Sequence, residues 1–152
     1  MSKEYDPPMH TAEHVLNQTM IRLFGSGRNF SAHLNRGKSK CDYHYGRDLS
    51  EAEARQLEEE VNRVLALDLP VTEDFVSPAE AAGLVNLAKL PPEVKADPAG
   101  RIRLVRIGDY DLCPCIGAHV SSTALAWPFR LISHSFTEPN LLRLRFKLGP
   151  GL

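Results

Sequence analysis

Two segments of the chain carry apolar residues three and four positions apart, which is the pattern of amphipathic helices. The repeating residues are Val15, Leu16, Met20, Leu23 and Phe24 in the first segment and Ala54, Leu57, Val61, Val64 and Leu65 in the second. The pattern predicts a first helix over residues 11–24 that stops at Gly25, a residue type common just after helices. A second helix is predicted to begin after Ser50, a favourable N-cap, and to end before Pro70.

Shorter segments alternate between apolar and polar residues and predict β-strands. These segments are residues 29–36, 41–45, 71–76, 101–107, 129–136 and 141–148. The first two are expected to form a hairpin around residues 36–39 (RGKS). A short helix is expected to begin at Ser77 and to end at residues 90–92 (LPP), before a loop over residues 93–100. This order predicts one α+β domain over residues 1–152, with helices packed on one face of a mainly antiparallel sheet.

The composition is that of an ordinary globular domain, with 152 residues, 43% hydrophobic and 24% charged. It excludes a disordered chain, a collagen-like repeat and a disulfide scaffold. A chain of this length buries enough surface to fold without a metal, so a metal site would point to function. We find no signal-peptide pattern and no run of about 18 apolar residues, and we therefore expect a cytoplasmic protein without membrane contact.

The net charge of -1 hides a segregation of charge along the chain. Residues 22–47 contain six basic side chains and one acidic one, whereas residues 48–80 contain ten acidic and two basic ones. Such alternation is most often solvated helix and loop surface. The alternative is a basic strip, including Arg36, Lys38 and Lys40, that binds the phosphates of a nucleic acid.

Two pairs of potential metal ligands lie far apart in the chain. His10 and His14 are four positions apart at the start of the first predicted helix, where they share one face. Cys115 and His119 have the same spacing in a segment that glycine and proline keep from being a regular helix. Zinc binds cysteine sulfur and histidine nitrogen in tetrahedral sets, so the two pairs together predict a zinc site.

A purely structural role is the alternative for these residues. Cys113 and Cys115 would then be inert buried thiols, and His119 would be a hydrogen-bonded core histidine. The remaining histidines and cysteine, which are His33, His44, His134 and Cys41, fall on predicted strands and are interpreted as ordinary strand residues.

The two ligand pairs resemble the signature of a known family. The segments HTAEH (residues 10–14) and CIGAH (residues 115–119) resemble the HxxxH and CxGxH motifs of the editing domain of alanyl-tRNA synthetases. Free-standing alanyl-tRNA editing proteins (AlaX) share this domain, and a related one, the second additional domain, serves threonyl-tRNA synthetases. The similarity also includes residues 15–25, 42, 59–70, 101–109 and 129–133, which together cover nearly the whole chain. Because no synthetase catalytic core precedes this segment and no glycine-rich barrel domain flanks it, we expect the short, free-standing form.

The resemblance implies the editing-domain fold and hydrolysis of the ester that joins a wrong amino acid, chiefly serine and then glycine, to alanine tRNA. It implies a zinc cofactor held by His10, His14, Cys115 and His119, of which the first three also belong to the implied catalytic set. Thr11, the remaining catalytic candidate, matches the family threonine that binds the serine hydroxyl; a plain hydroxyl at the helix start is its alternative. The sequence does not decide whether four protein ligands leave a coordination position open.

The implied partner is a mischarged tRNA, whose single-stranded CCA end would enter a pocket while Arg36, Lys38 and Lys40 follow phosphates. Two alternatives remain. The first is a zinc-stabilised module that binds tRNA without catalysis. The second is the same hydrolase acting on another mischarged tRNA, such as that for threonine.

Several residues depart from the family pattern. Ile116 and Ala118 stand where the family has a glycine and a threonine, and Cys113 replaces an acidic residue. A glutamine of the first hairpin strand is replaced near Ala32 and His33. These changes bear on amino-acid selectivity and on whether Cys113 competes for the ion.

Overall fold

Residues 6–85 and 98–149 are described by a computed structural model of the chain. In chain order the elements are α1 (Pro7–Phe24), β1 (Ser31–His33), β2 (Ser39–His44), α2 (Glu51–Ala66), β3 (Val71–Val76), α3 (Pro78–Leu84), β4 (Ile102–Ile107), β5 (Asp111–Pro114), a 3₁₀ helix (Thr123–Ala126), β6 (Phe129–Thr137) and β7 (Leu141–Leu148). The predicted α+β class is confirmed. Within residues 6–85 and 98–149, no helix combines the length and apolar character needed to cross a bilayer.

The strands form two antiparallel sheets, where the sequence pattern led us to expect one. The first sheet has the order β1-β2-β7-β6, and the second has the order β3-β4-β5. β4 pairs with β3 on one side and, through the turn at Gly108 and Asp109, with β5 on the other. β5 was not predicted because it is only four residues long and ends in proline, which is unusual within strands. With β5 present, β4 has local partners on both edges.

The main core lies between the two long helices and the four-stranded sheet. Fully buried side chains in it include Val15, Leu16 and Met20 of α1, Leu57, Val61 and Leu65 of α2, and Leu142, Leu144 and Phe146 of β7. Cys41 on β2 is fully buried in the same core, which agrees with its interpretation as a strand residue. A smaller cluster under the second sheet contains Ala81, Ile102 and Leu104.

The start of α1 and the end of α3 differ from the predicted boundaries, whereas α2 ends before Pro70 as predicted. α1 begins at Pro7 rather than at residue 11, because Asp6 caps it by accepting a bond from the Met9 amide (3.3 Å) and the prolines have no amide hydrogen to satisfy. α2 ends at Ala66, short of Pro70. α3 ends at Leu84, and the predicted helix end at residues 90–92 and loop start at residue 93 lie outside the described residues. The longer α1 places His10 and His14 inside a regular helix.

Candidate metal centre

The two ligand pairs predicted from the sequence come together in the folded chain. One ligand atom from each of His10, His14, Cys115 and His119 lies within 4.8 Å of each of the others. His10, His14 and Cys115 are buried, and His119 is partly exposed. A helix therefore supplies one pair and the segment after β5 supplies the other.

The chain between Cys115 and His119 turns back on itself at Gly117. Its backbone φ of 95° lies in the left-handed region, which glycine adopts without the strain that a side chain would add. The turn brings Nε2 of His119 to 3.4 Å from the Cys115 sulfur and stacks its ring on His10 with centroids 3.9 Å apart. His14 meets both rings edge-on. The glycine of the CxGxH motif thus closes the centre.

The rings of His10 and His119 are each held by a partner at Nδ1, the nitrogen that points away from the other ligand candidates. Nδ1 of His10 donates a hydrogen bond to the carbonyl oxygen of Ala118 (3.1 Å), which leaves the lone pair on Nε2. Nδ1 of His119 lies 2.9 Å from the hydroxyl oxygen of Thr11. Both rings consequently present Nε2 to the centre of the cluster, and such outer partners are typical of metal-binding histidines.

His14 faces the buried carboxylate of Asp111, at the start of β5. Its Nδ1 lies 3.6 Å from Oδ2 of Asp111, just beyond hydrogen-bond distance, and among the described residues neither atom has another hydrogen-bond partner. The other carboxylate oxygen, Oδ1, accepts hydrogen bonds from Gln18 (2.8 Å) and from the guanidinium of Arg28. A small shift of His14 towards Asp111 would satisfy both unpaired atoms and fix Nε2 towards the other ligands.

Burial keeps two of the imidazoles at the centre in their neutral form. Burial lowers the pKa of His10 to about 3 and that of His119 to about 2, and the neighbouring His14 adds to both shifts. Burial also acts against a charged His14, but Asp111 and Cys115 outweigh it and raise the pKa of His14 well above its usual range. A histidine binds a metal ion as the neutral imidazole, so the lowered pKa values of His10 and His119 keep these two rings in the form that a ligand needs.

The donor set fits one class of metal ion. The donors are three imidazole nitrogens and one thiolate sulfur. Imidazole is a ligand of intermediate softness and thiolate is a soft ligand, and both bind zinc and related transition metals in preference to magnesium or calcium. His14 Nδ1 and Asp111 Oδ2 are buried and 3.6 Å apart without a hydrogen bond. Binding of an ion by His14 would be accompanied by a short movement that lets these two atoms form that bond. The four residues could therefore hold a metal of the zinc type.

The chain is similar in sequence to known proteins. Residues 102–145 match the family described as the threonyl and alanyl tRNA synthetase second additional domain. Alanyl-tRNA editing protein AlaX-L of Pyrococcus horikoshii is 31% identical over 143 residues, which are 93% of this chain and 33% of that protein. The chain resembles the alanyl-tRNA editing proteins. The resemblance predicted from the motifs is therefore confirmed.

Alanine–tRNA ligases are also similar over nearly the whole chain. That of Methanopyrus kandleri is 28% identical over 141 residues (92% of this chain, 15% of the ligase), and that of Bacillus subtilis is 30% identical over 143 residues (93% and 16%). This editing-like chain thus spans 15% to 33% of the length of these three relatives. Its extent as a single editing domain over residues 1–152 stays a prediction.

Thr11 lies behind His119. Its side chain is fully buried, and its oxygen accepts a hydrogen bond from the Val120 amide (3.3 Å) in addition to the contact with His119. When Nε2 of His119 serves as a ligand, Nδ1 carries the hydrogen and donates it to Thr11. The hydroxyl hydrogen of Thr11 then remains available for a further acceptor. The predicted contact with a serine hydroxyl stays a prediction.

Cys113 does not belong to the four-residue group that the described residues form. Its thiol is half-buried and donates to the carbonyl oxygen of Pro114 (3.3 Å), and burial raises its pKa. A raised pKa disfavours the thiolate that a metal would need. The structure therefore favours Cys115 over Cys113 as the sulfur ligand.

Two acidic residues at the centre were not identified from the sequence. Asp111 belongs to the unpredicted strand β5, and no spacing rule connects it with His14. Glu13 stands three positions after His10 and directly before His14, and this helical spacing was a usable signal. Its Oε1 lies 3.9 Å from Nε2 of His10 and 4.0 Å from Nε2 of His14.

The predicted basic residues lie in or near the β1–β2 turn. Arg36 and Lys38 are exposed there, and Lys40 is partly buried on β2 opposite Arg145. Arg36 also lines a groove of about 350 Å³ whose other lining residues are Asp6, Pro8, Met9, Leu125, Ala126, Trp127, Leu148 and Gly149. Because Met9 directly precedes His10, this groove adjoins the helical turn that carries the first metal-ligand candidate.

Proposed function

We propose that this protein is a zinc-dependent aminoacyl-tRNA deacylase that hydrolyses mischarged alanine tRNA in the cytoplasm, chiefly seryl-tRNA and then glycyl-tRNA. The observation that carries the proposal is the buried centre of three histidines and one cysteine, built from the residues of the editing-like motifs. The similarity to a protein named for alanyl-tRNA editing supports it. Because the chain spans a third of that protein, the activity of the relative enters only as part of this proposal.

Accurate charging of alanine tRNA needs a hydrolytic site in addition to the synthetase pocket. A synthetase pocket for a small apolar side chain rejects a hydroxyl-bearing or smaller analogue by only about 1–3 kcal/mol, so a separate hydrolytic site removes the errors. A zinc ion held by His10, His14, Cys115 and His119 would polarise the ester carbonyl or activate a water molecule. Ala118 and Thr11 keep two of the rings in the orientation that this requires.

The exposed groove beside α1 suits the single-stranded end of a tRNA. Trp127 is 54% exposed and Leu125 is 60% exposed, and both residues line this groove. Arg36 lines the same groove. Unpaired bases bind proteins by stacking on aromatic rings beside positive charge. We place the CCA end of the tRNA in this groove, with its terminal ester directed to the metal centre.

Replacing Trp127 with alanine is expected to raise the KM for seryl-tRNA by roughly 5- to 160-fold, because each stacked base contributes about 1–3 kcal/mol. The kcat and the zinc content should not change. Phe75→Ala is a matched control, since Phe75 is an exposed aromatic residue beside Arg101 but lies on the second sheet. Steady-state kinetics of both variants checks the prediction. An unchanged KM for Trp127→Ala would contradict binding in this groove.

Replacing Thr11 with valine is expected to lower the rate of serine removal by roughly 10-fold or more, because an unpaired polar group in a closed site costs about 1–3 kcal/mol. At saturating zinc, glycine removal should fall less than serine removal, because loss of the contact between Thr11 and His119 affects both substrates alike. Alanyl-tRNA should become a better substrate relative to seryl-tRNA, because the penalty on its methyl group is gone. Deacylation rates for the three aminoacyl-tRNAs check this. Thr19→Val is the matched control, since Thr19 is equally buried on α1 but bonds to Val15 and Tyr110. Equal losses for serine and glycine would mean that Thr11 acts only through His119.

The proposed function is tested by one assay with purified protein. Seryl-, glycyl- and alanyl-tRNA for alanine, together with mischarged threonine tRNA, are incubated with the zinc-loaded and the metal-stripped protein. Rapid loss of the seryl ester with zinc, and slow loss without it, is the expected result. Binding of all tRNAs without turnover would favour a non-catalytic module, and preferential turnover of the threonine tRNA would favour the alternative substrate.

A further inference from the structure

Glu13 lies at the metal centre but is not one of the four ligand candidates. One of its carboxylate oxygens, Oε1, lies 3.9 Å and 4.0 Å from the Nε2 atoms of His10 and His14, the same atoms that face the other ligands. These distances are too long for direct hydrogen bonds. Polar atoms at such a separation commonly share a water molecule between them. The carboxylate therefore borders the space where a reacting water would lie.

A chain of hydrogen bonds fixes the other oxygen of this carboxylate. Oε2 of Glu13 accepts a bond from Nδ2 of Asn29 (2.8 Å), and Asn29 donates further bonds to Oδ1 of Asn17 from Nδ2 (3.1 Å) and from its backbone amide (3.2 Å). The buried Tyr43 hydroxyl also donates to Oδ1 of Asn17 (2.7 Å). The anchoring reaches from α1 to β2 and holds the carboxylate with only 12% of its side chain exposed. Oε1 is thereby kept directed at the histidines.

We propose that Glu13 is a catalytic residue that orients the attacking water and accepts its proton. The inference rests on the proposed deacylase function. The position of Oε1 beside the Nε2 atoms of His10 and His14 carries the inference, and the bond from Asn29 to Oε2 keeps Oε1 in that position.

The reaction balances with this residue as the only proton carrier. The water oxygen forms a bond to the ester carbonyl carbon while its proton passes to Oε1 of Glu13. The bond between that carbon and the ribose oxygen of the terminal adenosine then breaks, and the proton passes from Glu13 to the ribose oxygen. The products are the free amino acid and the tRNA with its terminal hydroxyl restored. General-base assistance of this kind is worth about 10²- to 10⁴-fold in rate.

The test is Glu13→Gln, which keeps the shape and an oxygen for Asn29 but removes the proton acceptor. We expect kcat for seryl-tRNA to fall by about 10²- to 10⁴-fold, with KM, zinc content and thermal unfolding midpoint unchanged. Glu13→Asp keeps the carboxylate but withdraws it by one methylene, so we expect it to recover part of the lost rate. Glu60→Gln on α2, which removes a partly exposed carboxylate paired with Arg63, is the matched control and should have wild-type kinetics.

Each other outcome overturns a specific statement. Normal kcat in Glu13→Gln would overturn the role of Glu13 and leave the deacylase function standing. Loss of zinc in proportion to activity would make Glu13 a metal ligand and would overturn its role as proton acceptor. An inactive wild-type protein with full zinc content would overturn the proposed function and this inference with it.

Discussion

Replacing Cys115 with alanine is expected to release the metal and to abolish deacylation of seryl-tRNA. The thiolate is the one soft, anionic ligand in the group, so its removal leaves three imidazoles without the charge that balances the ion. Loss of a residue that only hydrogen-bonds to a metal ligand costs about 10- to 100-fold in metal affinity. We expect loss of the ligand itself to cost more. Metal content after dialysis and single-turnover deacylation measure the two effects.

Cys113→Ala is the matched control for this prediction. Cys113 stands two positions earlier and is half-buried, but it lies outside the four-residue group that the described residues form. The control should therefore retain zinc and activity, and both variants should retain tRNA binding, since the groove at Trp127 is untouched. Loss of zinc in the Cys113 variant would identify a second sulfur ligand. Normal turnover in the Cys115 variant would refute metal-dependent hydrolysis.

The sequence was sufficient to predict the four ligands because each pair obeys a local geometric rule. Spacing of four residues on α1 places His10 and His14 on one face, and Gly117 allows the turn that returns His119 to Cys115. The contact between the two pairs joins residues about a hundred positions apart, and no local pattern predicts it. Only the family resemblance indicated that the two pairs belong to one site. Among the residues that the structure describes, the two long helices and six of the seven strands could be predicted for the same local reason.

The rest of the centre depends on contacts between residues distant in sequence. Asp111 faces His14 from β5, and Asn29 anchors Glu13 from the segment before β1; no periodicity expresses either contact. The division of the strands into two sheets was missed for a related reason. Alternation shows which face of β4 is buried, but it does not show which strands lie beside it.

Replacing Asp111 with asparagine is expected to weaken metal binding by about 10- to 100-fold while the protein stays folded. The asparagine oxygen can still accept bonds from Gln18 and Arg28, whereas its amide group would present hydrogens to Nδ1 of His14. An acceptor at this position favours the tautomer with hydrogen on Nδ1 and the lone pair on Nε2. A donor favours the opposite tautomer, in which Nε2 carries the hydrogen and cannot bind the ion.

Competition with a chelator, and the absorption spectrum of the cobalt-substituted protein, report this effect directly at the metal. The matched control is Asp42→Asn, since Asp42 is also a buried aspartate and binds Arg143 through both oxygens at 2.8 and 2.9 Å, but on the four-stranded sheet. The control is expected to lower the unfolding midpoint without changing metal affinity. Equal metal affinity in wild type and Asp111→Asn would show that His14 is oriented by its burial in the core alone. A loss confined to Asp111→Asn would show that the carboxylate sets the direction of the His14 lone pair.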